Sequence, residues 1–126
     1  MAVSSQALRI AEVAVLAAQE KLGQDILVVD VSEKLGIAEV FVVISASNER
    51  QLAAIVEEIE SRCSQAGIPP ARREGERDSH WVLLDGFDTI VHVQHVEARS
   101  VYGLDRLWKD CPSIDLGEVV SSGVNS

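Results

Sequence analysis

Two short apolar runs constrain the fold of this chain more than any other feature. They are Asp25–Val31 and Val40–Ile44, and both consist largely of β-branched residues without the alternation of a half-exposed strand. Continuous runs of this kind are typical of strands covered on two faces, which occur in sheets with helices packed against them. The pattern therefore predicts an α/β protein.

Helical periodicity surrounds these two predicted strands. Apolar residues recur every three to four positions from Leu8 to Leu22, and the serines at positions 4 and 5 are suitable N-caps for that helix. A second helical periodicity of apolar residues runs from Leu52 to Ala66, and Ser47 or Asn48 is the predicted N-cap of that helix. Each predicted helix has one apolar side, so each is expected to pack on the sheet.

The second half of the chain has the pattern of an antiparallel hairpin followed by a helix. The apolar segments Trp81–Asp85 and Thr89–Val96 flank a turn with glycine and aspartate, and the segment from Ile68 to Ser79 is a surface connection with room for one short edge strand. A last helix is predicted from about residue 98 to 108. The whole pattern predicts a single mixed β-sheet of about five strands with helices packed on its faces.

One domain accounts for most of the chain. With 126 residues and 47% apolar residues, the chain is large enough for one core. We expect this domain to cover residues 1–112 and residues 113–126, which lack an apolar period, to form a flexible C-terminal tail.

The charge of the chain narrows the choice of partners. Eleven basic and twenty acidic residues give a net charge of −9, which repels a phosphate backbone, so primary nucleic-acid binding is disfavoured. A basic protein is a suitable partner. Two cysteines outside any metal-binding spacing argue against a disulfide framework and favour the cytoplasm. Glu12 and Glu20 interrupt the first apolar segment, so we expect neither a signal peptide nor a membrane span.

Candidate catalytic groups are concentrated in and after the hairpin. Asp85, Asp88, His92, His95 and Glu97 are potential zinc ligands or acid-base groups. His92 and His95 are separated by an odd number of residues, so on a strand they point to opposite sides and do not share an ion. We therefore expect neither a catalytic centre nor a metal site here.

An enzymatic alternative stays open at this point. Asp30, Asp85 or Asp88 would hold magnesium against a nucleotide phosphate in a nucleotidyltransferase-like enzyme. Ser45-Ala46-Ser47 precedes a helix and offers backbone N–H groups to an anion, although helix capping uses the same residue types.

Aromatic residues are few and unevenly distributed. Of the five in the chain, Trp81, Phe87, Tyr102 and Trp108 lie between residues 79 and 109. They either form the core between the hairpin and the last helix or anchor a protein partner. The sequence leaves both readings open.

Several segments together resemble the Iojap or ribosomal silencing factor family, in order and with similar gaps from about Leu8 to Asp110. The segments that carry the resemblance are Asp25–Val31, Phe41–Ile44, Ser47–Gln51, Trp81–Asp85, Asp88, Val91–Val93 and Glu97–Trp108. The resemblance implies a nucleotidyltransferase-like fold without nucleotidyl transfer and without a cofactor. It also implies binding to the large ribosomal subunit through ribosomal protein fourteen, which keeps the small subunit away and lowers translation during nutrient shortage.

Carried over by position, the resemblance also implies a partner-binding surface. Its residues come from the hairpin and from the last helix: Trp81, Asp85, Phe87, Asp88, Arg99, Tyr102, Leu107 and Trp108. This chain has Gly86 before Phe87, whereas many members have the aromatic residue before the glycine. Family members are often homodimers, and the oligomeric state of this chain stays open.

Overall fold

The computed structural model describes residues 3–34, 36, 38–69, 71–75, 80–86, 88–114 and 116, and for residues 102, 104 and 107 it describes the backbone only. These residues form one five-stranded sheet with the strand order β1-β2-β5-β4-β3. β2 and β5 are parallel, and every other neighbouring pair is antiparallel. The prediction of one mixed five-stranded sheet is confirmed.

The helices and strands lie close to their predicted positions. In chain order they are α1 (Ser5–Glu20), β1 (Gln24–Asp30), β2 (Val40–Ala46), α2 (Glu49–Gln65), β3 (Arg72–Glu74), β4 (Trp81–Gly86), β5 (Thr89–His95), α3 (Val96–Tyr102) and α4 (Leu104–Leu107). Ser4 caps α1 by accepting a hydrogen bond from the Ala7 amide at 3.2 Å. Asn48 caps α2 by accepting from the Gln51 amide at 2.8 Å. Local capping chemistry therefore fixes where both long helices begin.

The main core lies between the sheet and the helices α1 and α2. Small residues of α1, such as Ala11, Ala14 and Ala18, are fully buried and allow close approach to the sheet. Ile55 and Leu52 of α2 pack into the same cluster. β2 is buried along its whole length, as predicted for a strand covered on two faces.

The opposite side of the sheet has a smaller core. It contains Val29, Phe41, Ile90 and Cys111, with Trp108 packed partly against them. α3 contacts β5 and β2 on the C-terminal side of the sheet. Helices therefore lie on both faces, but the second face receives much less cover than the first.

One expectation from the sequence was wrong, and another holds only in part. The last helix was predicted as one element from about residue 98 to 108, but it is interrupted at Gly103, whose φ of 62° is left-handed. β1 was predicted to be covered on two faces, and this holds for its second half, where Val28 and Val29 are buried in the two opposite cores, whereas its first two residues are exposed.

The chain continues along β1 after the last helix. Ser113 forms a bridge with Val29, and the Ile114 amide donates to the Val28 carbonyl at 2.9 Å. Residues 113 and 114, which the sequence assigned to the flexible tail, thus lie beside the edge strand. Residues 117–126 of that predicted tail lie outside the described residues.

Candidate functional site

The less covered side of the sheet carries a cluster that we call the aromatic face, defined by Phe41, Trp81, Leu83, His92 and Trp108. Leu83 pairs directly with His92 across β4 and β5, and cross-strand partners project to the same side of a sheet. Val43 pairs with His92 from β2, next to Phe41. The register of three strands therefore brings these side chains together.

The rings of the aromatic face are in contact with one another. The ring centroids of Phe41 and His92 are 4.7 Å apart with an edge-to-face arrangement, and those of Phe41 and Trp108 are 5.3 Å apart in a similar arrangement. The ring of Trp81 lies 5.8 Å from that of His92. Edge-to-face contacts at these distances are favourable and specific in geometry.

A hydrogen bond joins Trp81 to His92. The indole Nε1–H of Trp81 donates to Nδ1 of His92 at 3.1 Å. His92 is 4% exposed, and burial lowers its pKa to about 4, so the imidazole is neutral near pH 7. A neutral imidazole has one acceptor nitrogen, and the bond to Trp81 requires that this acceptor is Nδ1.

Exposure alternates along β4, as the strand period requires. Val82 and Leu84 are buried under α1 and α2, whereas Trp81, Leu83 and Asp85 on the aromatic face are half-buried. The structure therefore places two of the predicted site residues, Trp81 and Asp85, on the same strand face. Both side chains are therefore partly exposed at this edge of the aromatic face.

The side of the sheet that carries the aromatic face also holds several buried polar atoms. Nε2 of His92, Nε1 of Trp108 and both side-chain polar atoms of Gln94 have no hydrogen-bond partner among the described residues. Gln94 is opposite Trp81 in the β4–β5 pair, so its amide lies on this same side. This side of the sheet therefore combines aromatic rings with buried polar side chains, unlike the apolar core on the other side.

The two aspartates of the hairpin occupy different surroundings. Asp85 pairs with Ile90 of β5 and with Arg72 of the edge strand β3. Asp88 is half-buried, and its carbonyl accepts hydrogen bonds from the amides of Glu39 and Val40, at 2.7 and 3.1 Å. The backbone of Asp88 thus fixes the hairpin turn to the start of β2. Phe87, the third predicted site residue of the hairpin, lies outside the described residues.

Arg99 connects the elements at the C-terminal end of β2. Its guanidinium donates twice to the Asp105 carboxylate, at 2.9 and 2.7 Å, once to Ser45 Oγ at 3.0 Å and once to the carbonyl of Asp25. The side chain is 12% exposed. The hydrogen bonds from Arg99 lower the pKa of Asp105. Through these bonds Arg99 connects α3 to α4, β1 and β2, which is a structural role.

The remaining site residues of the last helix are placed to different extents. Trp108 follows α4 and packs on Phe41. Tyr102 is the last residue of α3 and Leu107 is the last residue of α4, and their side chains lie outside what the structure describes. The structure therefore brings Trp81, Asp85 and Trp108 to one side of the sheet.

The groups considered for catalysis and metal binding do not converge. His92 lies among the aromatic rings, whereas the ring of His95 lies 5.1 Å from that of His80 and its Nδ1 accepts from the Glu97 amide. Within the described residues, no group of three or more histidine, cysteine, aspartate or glutamate side chains has the geometry to hold a metal ion. The carboxylate of Asp30 instead accepts from the backbone and the hydroxyl of Ser32, at 2.9 and 2.5 Å.

Sequence reasoning missed three residues of the aromatic face as members of the site: Phe41, Leu83 and His92. Leu83 lies between Trp81 and Asp85 in the period-two pattern of β4, so the pattern contained a signal for it. His92 was considered as a metal ligand or acid-base group and within the family resemblance, but not as a neighbour of Trp81. Its place beside Trp81 depends on the hairpin register, in which Gly86 pairs with Thr89, and the sequence predicted a longer turn.

The fold and this site define a class: an α/β protein of one mixed sheet, with two long helices on one face and a half-buried aromatic cluster on the other. The family model described as "Ribosomal silencing factor during starvation" (RsfS) matches residues 4–125. The chain therefore belongs to the ribosomal silencing factor family, whose role is regulatory and concerns translation. This membership confirms the resemblance found in the sequence.

Relatives and solved structures agree with that membership. The chain is 36% identical over 107 residues to "Ribosomal silencing factor RsfS" of Bacillus subtilis, covering 85% of this chain and 91% of that protein. It is 33% identical to the protein of the same name from Halalkalibacterium halodurans, covering 87% and 94%. A crystal structure of a Chromobacterium violaceum protein superimposes with a TM-score of 0.78 at 27% identity, covering 85% of this chain and 88% of that one.

Among the described residues, no helix combines the length and the apolar character needed to cross a bilayer.

Proposed function

We propose that this protein binds the large ribosomal subunit through ribosomal protein fourteen and blocks the small subunit from joining, which lowers translation under nutrient limitation. It acts in the cytoplasm, by occlusion and without a catalytic step. The observation that carries the proposal is the half-buried edge of the aromatic face, with Trp81 beside Asp85, in a chain of the ribosomal silencing factor family.

The chemistry of this edge supports a protein partner. Tryptophan is enriched among the residues that dominate interface energies, because its rigid ring buries a large area. Leu83 adds apolar area beside it, and Asp85 adds a negative charge at the rim. A small apolar centre with an acidic rim is suited to a basic protein surface.

The net charge supports the same partner class. A charge of −9 disfavours direct contact with ribosomal RNA, so a basic ribosomal protein is the better docking site. Charge complementarity of this kind increases the association rate and the specificity more than the affinity.

The proposal is tested by sedimentation with separated ribosomal subunits. We expect the protein to co-sediment with large subunits and not with small ones, and to reduce the fraction of joined ribosomes when small subunits are added. Sedimentation with neither subunit, or retention on large subunits without any loss of joining, would contradict it.

Two substitutions locate the contact surface. Trp81→Ala removes the aromatic anchor, and Asp88→Arg reverses a charge at the hairpin turn; each is expected to weaken binding to large subunits by about 1 to 3 kcal/mol. Binding is measured by titration with purified large subunits, and circular dichroism checks that both variants keep the native helix content.

Glu57→Arg is the matched control for the charge reversal. Glu57 is exposed on α2, on the side of the sheet away from the aromatic face, and its substitution changes the net charge by the same amount as Asp88→Arg. It is expected to bind almost as the wild type does. Native affinity in folded Trp81→Ala and Asp88→Arg proteins would remove the hairpin from the binding surface.

A further inference from the structure

The side chain of Trp81 contacts His92, which lies on the neighbouring strand β5. Trp81 pairs with Gln94, two residues from His92, so Trp81 and His92 are diagonal neighbours across β4 and β5. Side chains in this relation are within reach of each other only when they are long or aromatic. The indole of Trp81 is large enough to span this diagonal, and it donates a hydrogen bond to Nδ1 of His92 at 3.1 Å.

His92 is held more firmly than Trp81. It lies on β5, which has β2 on one side and β4 on the other, and it is 4% exposed. The edge-to-face contact with Phe41 fixes its ring from the β2 side. Trp81 is the first residue of β4 and is half-buried. The rigid partner of this pair is therefore the histidine.

The protonation state of His92 suits it to accept a hydrogen bond. Burial keeps the imidazole neutral, so Nδ1 presents a lone pair to the indole and the ring proton resides on Nε2. That Nε2 atom has no hydrogen-bond partner among the described residues. Among the described residues, Trp81 is thus the hydrogen-bond partner of the imidazole.

We infer that His92 is a positioning residue, which fixes the indole of Trp81 in the orientation that the ribosomal partner recognises. The inference rests on the proposed function of the aromatic face. A binding side chain that is fixed before the encounter loses less conformational entropy in the complex, so pre-organisation increases affinity. His92 needs no contact with the partner to have this effect.

Two substitutions of His92 distinguish the effect of its hydrogen-bond acceptor from the effect of its ring. His92→Asn keeps an acceptor, because the Asn Oδ1 atom occupies nearly the place of Nδ1, whereas His92→Phe keeps a ring of similar size without an acceptor. We expect His92→Phe to weaken binding to large subunits by about 3- to 10-fold. We expect His92→Asn to bind within about 2-fold of the wild type.

A spectroscopic measurement on the free protein tests the hydrogen bond independently of the ribosome. The two tryptophans give two indole N–H resonances in a ¹⁵N spectrum, and Trp81→Phe assigns one of them. In the wild type, the Trp81 resonance should show slow solvent exchange and a ¹⁵N–¹⁵N coupling to Nδ1 of His92. The slow exchange should persist in His92→Asn and be lost in His92→Phe.

The outcomes distinguish the inference from the proposed function. If Trp81→Ala lowers binding while folded His92→Phe binds as the wild type does, the positioning role is wrong and the surface stands. Equal loss of binding in His92→Phe and His92→Asn would also overturn positioning, because it would mean that the imidazole itself is required. Native binding by Trp81→Ala would overturn the proposed surface. Absence of the wild-type coupling would overturn the inference even if no variant folds.

Discussion

His92 shows how burial and hydrogen bonding are combined at a single residue. Its ring contacts Phe41 and Trp81 and is 4% exposed, which is unusual for a histidine. Its neutral form is the one that accepts the indole hydrogen bond, so burial and the bond favour the same protonation state. Protonation would remove the acceptor and leave a buried charge.

The pH dependence of stability should therefore contain a contribution from His92. The pKa is about 4 in the folded protein and 6.5 for an ordinary histidine, so between these values the unfolded chain binds more protons. The contribution of His92 to the free energy of unfolding is fully present above about pH 6.5. It decreases as the pH falls, and the total loss below pH 4 is about 3 kcal/mol. Urea unfolding at several pH values should show this decrease.

His92→Asn has no titrating group at this position, so its stability should depend less on pH than that of the wild type across the same window. His80→Asn is the control, because it removes an exposed imidazole. Parallel pH profiles for the wild type and His92→Asn would show that His92 is not buried in the neutral form.

At the scale of elements, the last helical region is divided into α3 and α4 by a break at Gly103. Gly103 has a φ of 62° and ends α3, with its amide donating to the Arg99 carbonyl at 3.1 Å. The side chain of Arg99 then crosses the break to Asp105 of α4. A glycine and an ion pair thus replace what the local pattern predicted to be one continuous helix.

Gly103→Ala should destabilise the protein by about 1 to 2 kcal/mol, because the left-handed conformation brings Cβ too close to the backbone. An added Cβ would also lie 2.6 Å from the Arg106 guanidinium, which would have to move. The measurement is the free energy of unfolding in urea.

Gly36→Ala is the matched control for this change, because a Cβ at Gly36 would meet no heavy atom within 4 Å. Its stability should change by only a few tenths of a kcal/mol. Equal stability of the two variants would mean that Gly103 does not require its left-handed conformation.

At the scale of the whole molecule, the two sides of the sheet are built differently. α1 and α2 cover one side with a continuous apolar core, whereas the other side combines aromatic rings, buried polar side chains and partial exposure. The first side accounts for most of the buried apolar area and therefore for most of the stability. The second side carries the surface that we propose for binding.

The charge of the whole molecule should appear in the kinetics of binding to large subunits. With a net charge of −9 and a basic partner, the association rate should decrease as the salt concentration is raised, while the dissociation rate changes much less. Stopped-flow mixing with labelled protein measures both rates. An association rate that increases with salt would argue against a basic docking site.

Much of the fold was predictable because its signals are local. The apolar run of β2, the periodicity of α1 and α2, and the capping residues Ser4 and Asn48 are all evident within a few positions of the sequence. The family resemblance added the identity of the hairpin residues as a binding surface. That part of the site stays a prediction, with Trp81 and Asp85 on one face as its structural support.

The sequence by itself determined the two long helices, the main strands, the net negative charge and the family, since each of these follows from residue order and composition alone. Only the tertiary structure decided that Trp81 bonds to His92, that Phe41 and Trp108 share one cluster, and that Arg99 is enclosed by three elements. Those contacts join residues far apart in the chain. They depend on strand register and on the break at Gly103, and a shift of one residue in register would send the strand side chains Phe41, Trp81 and His92 to the opposite face.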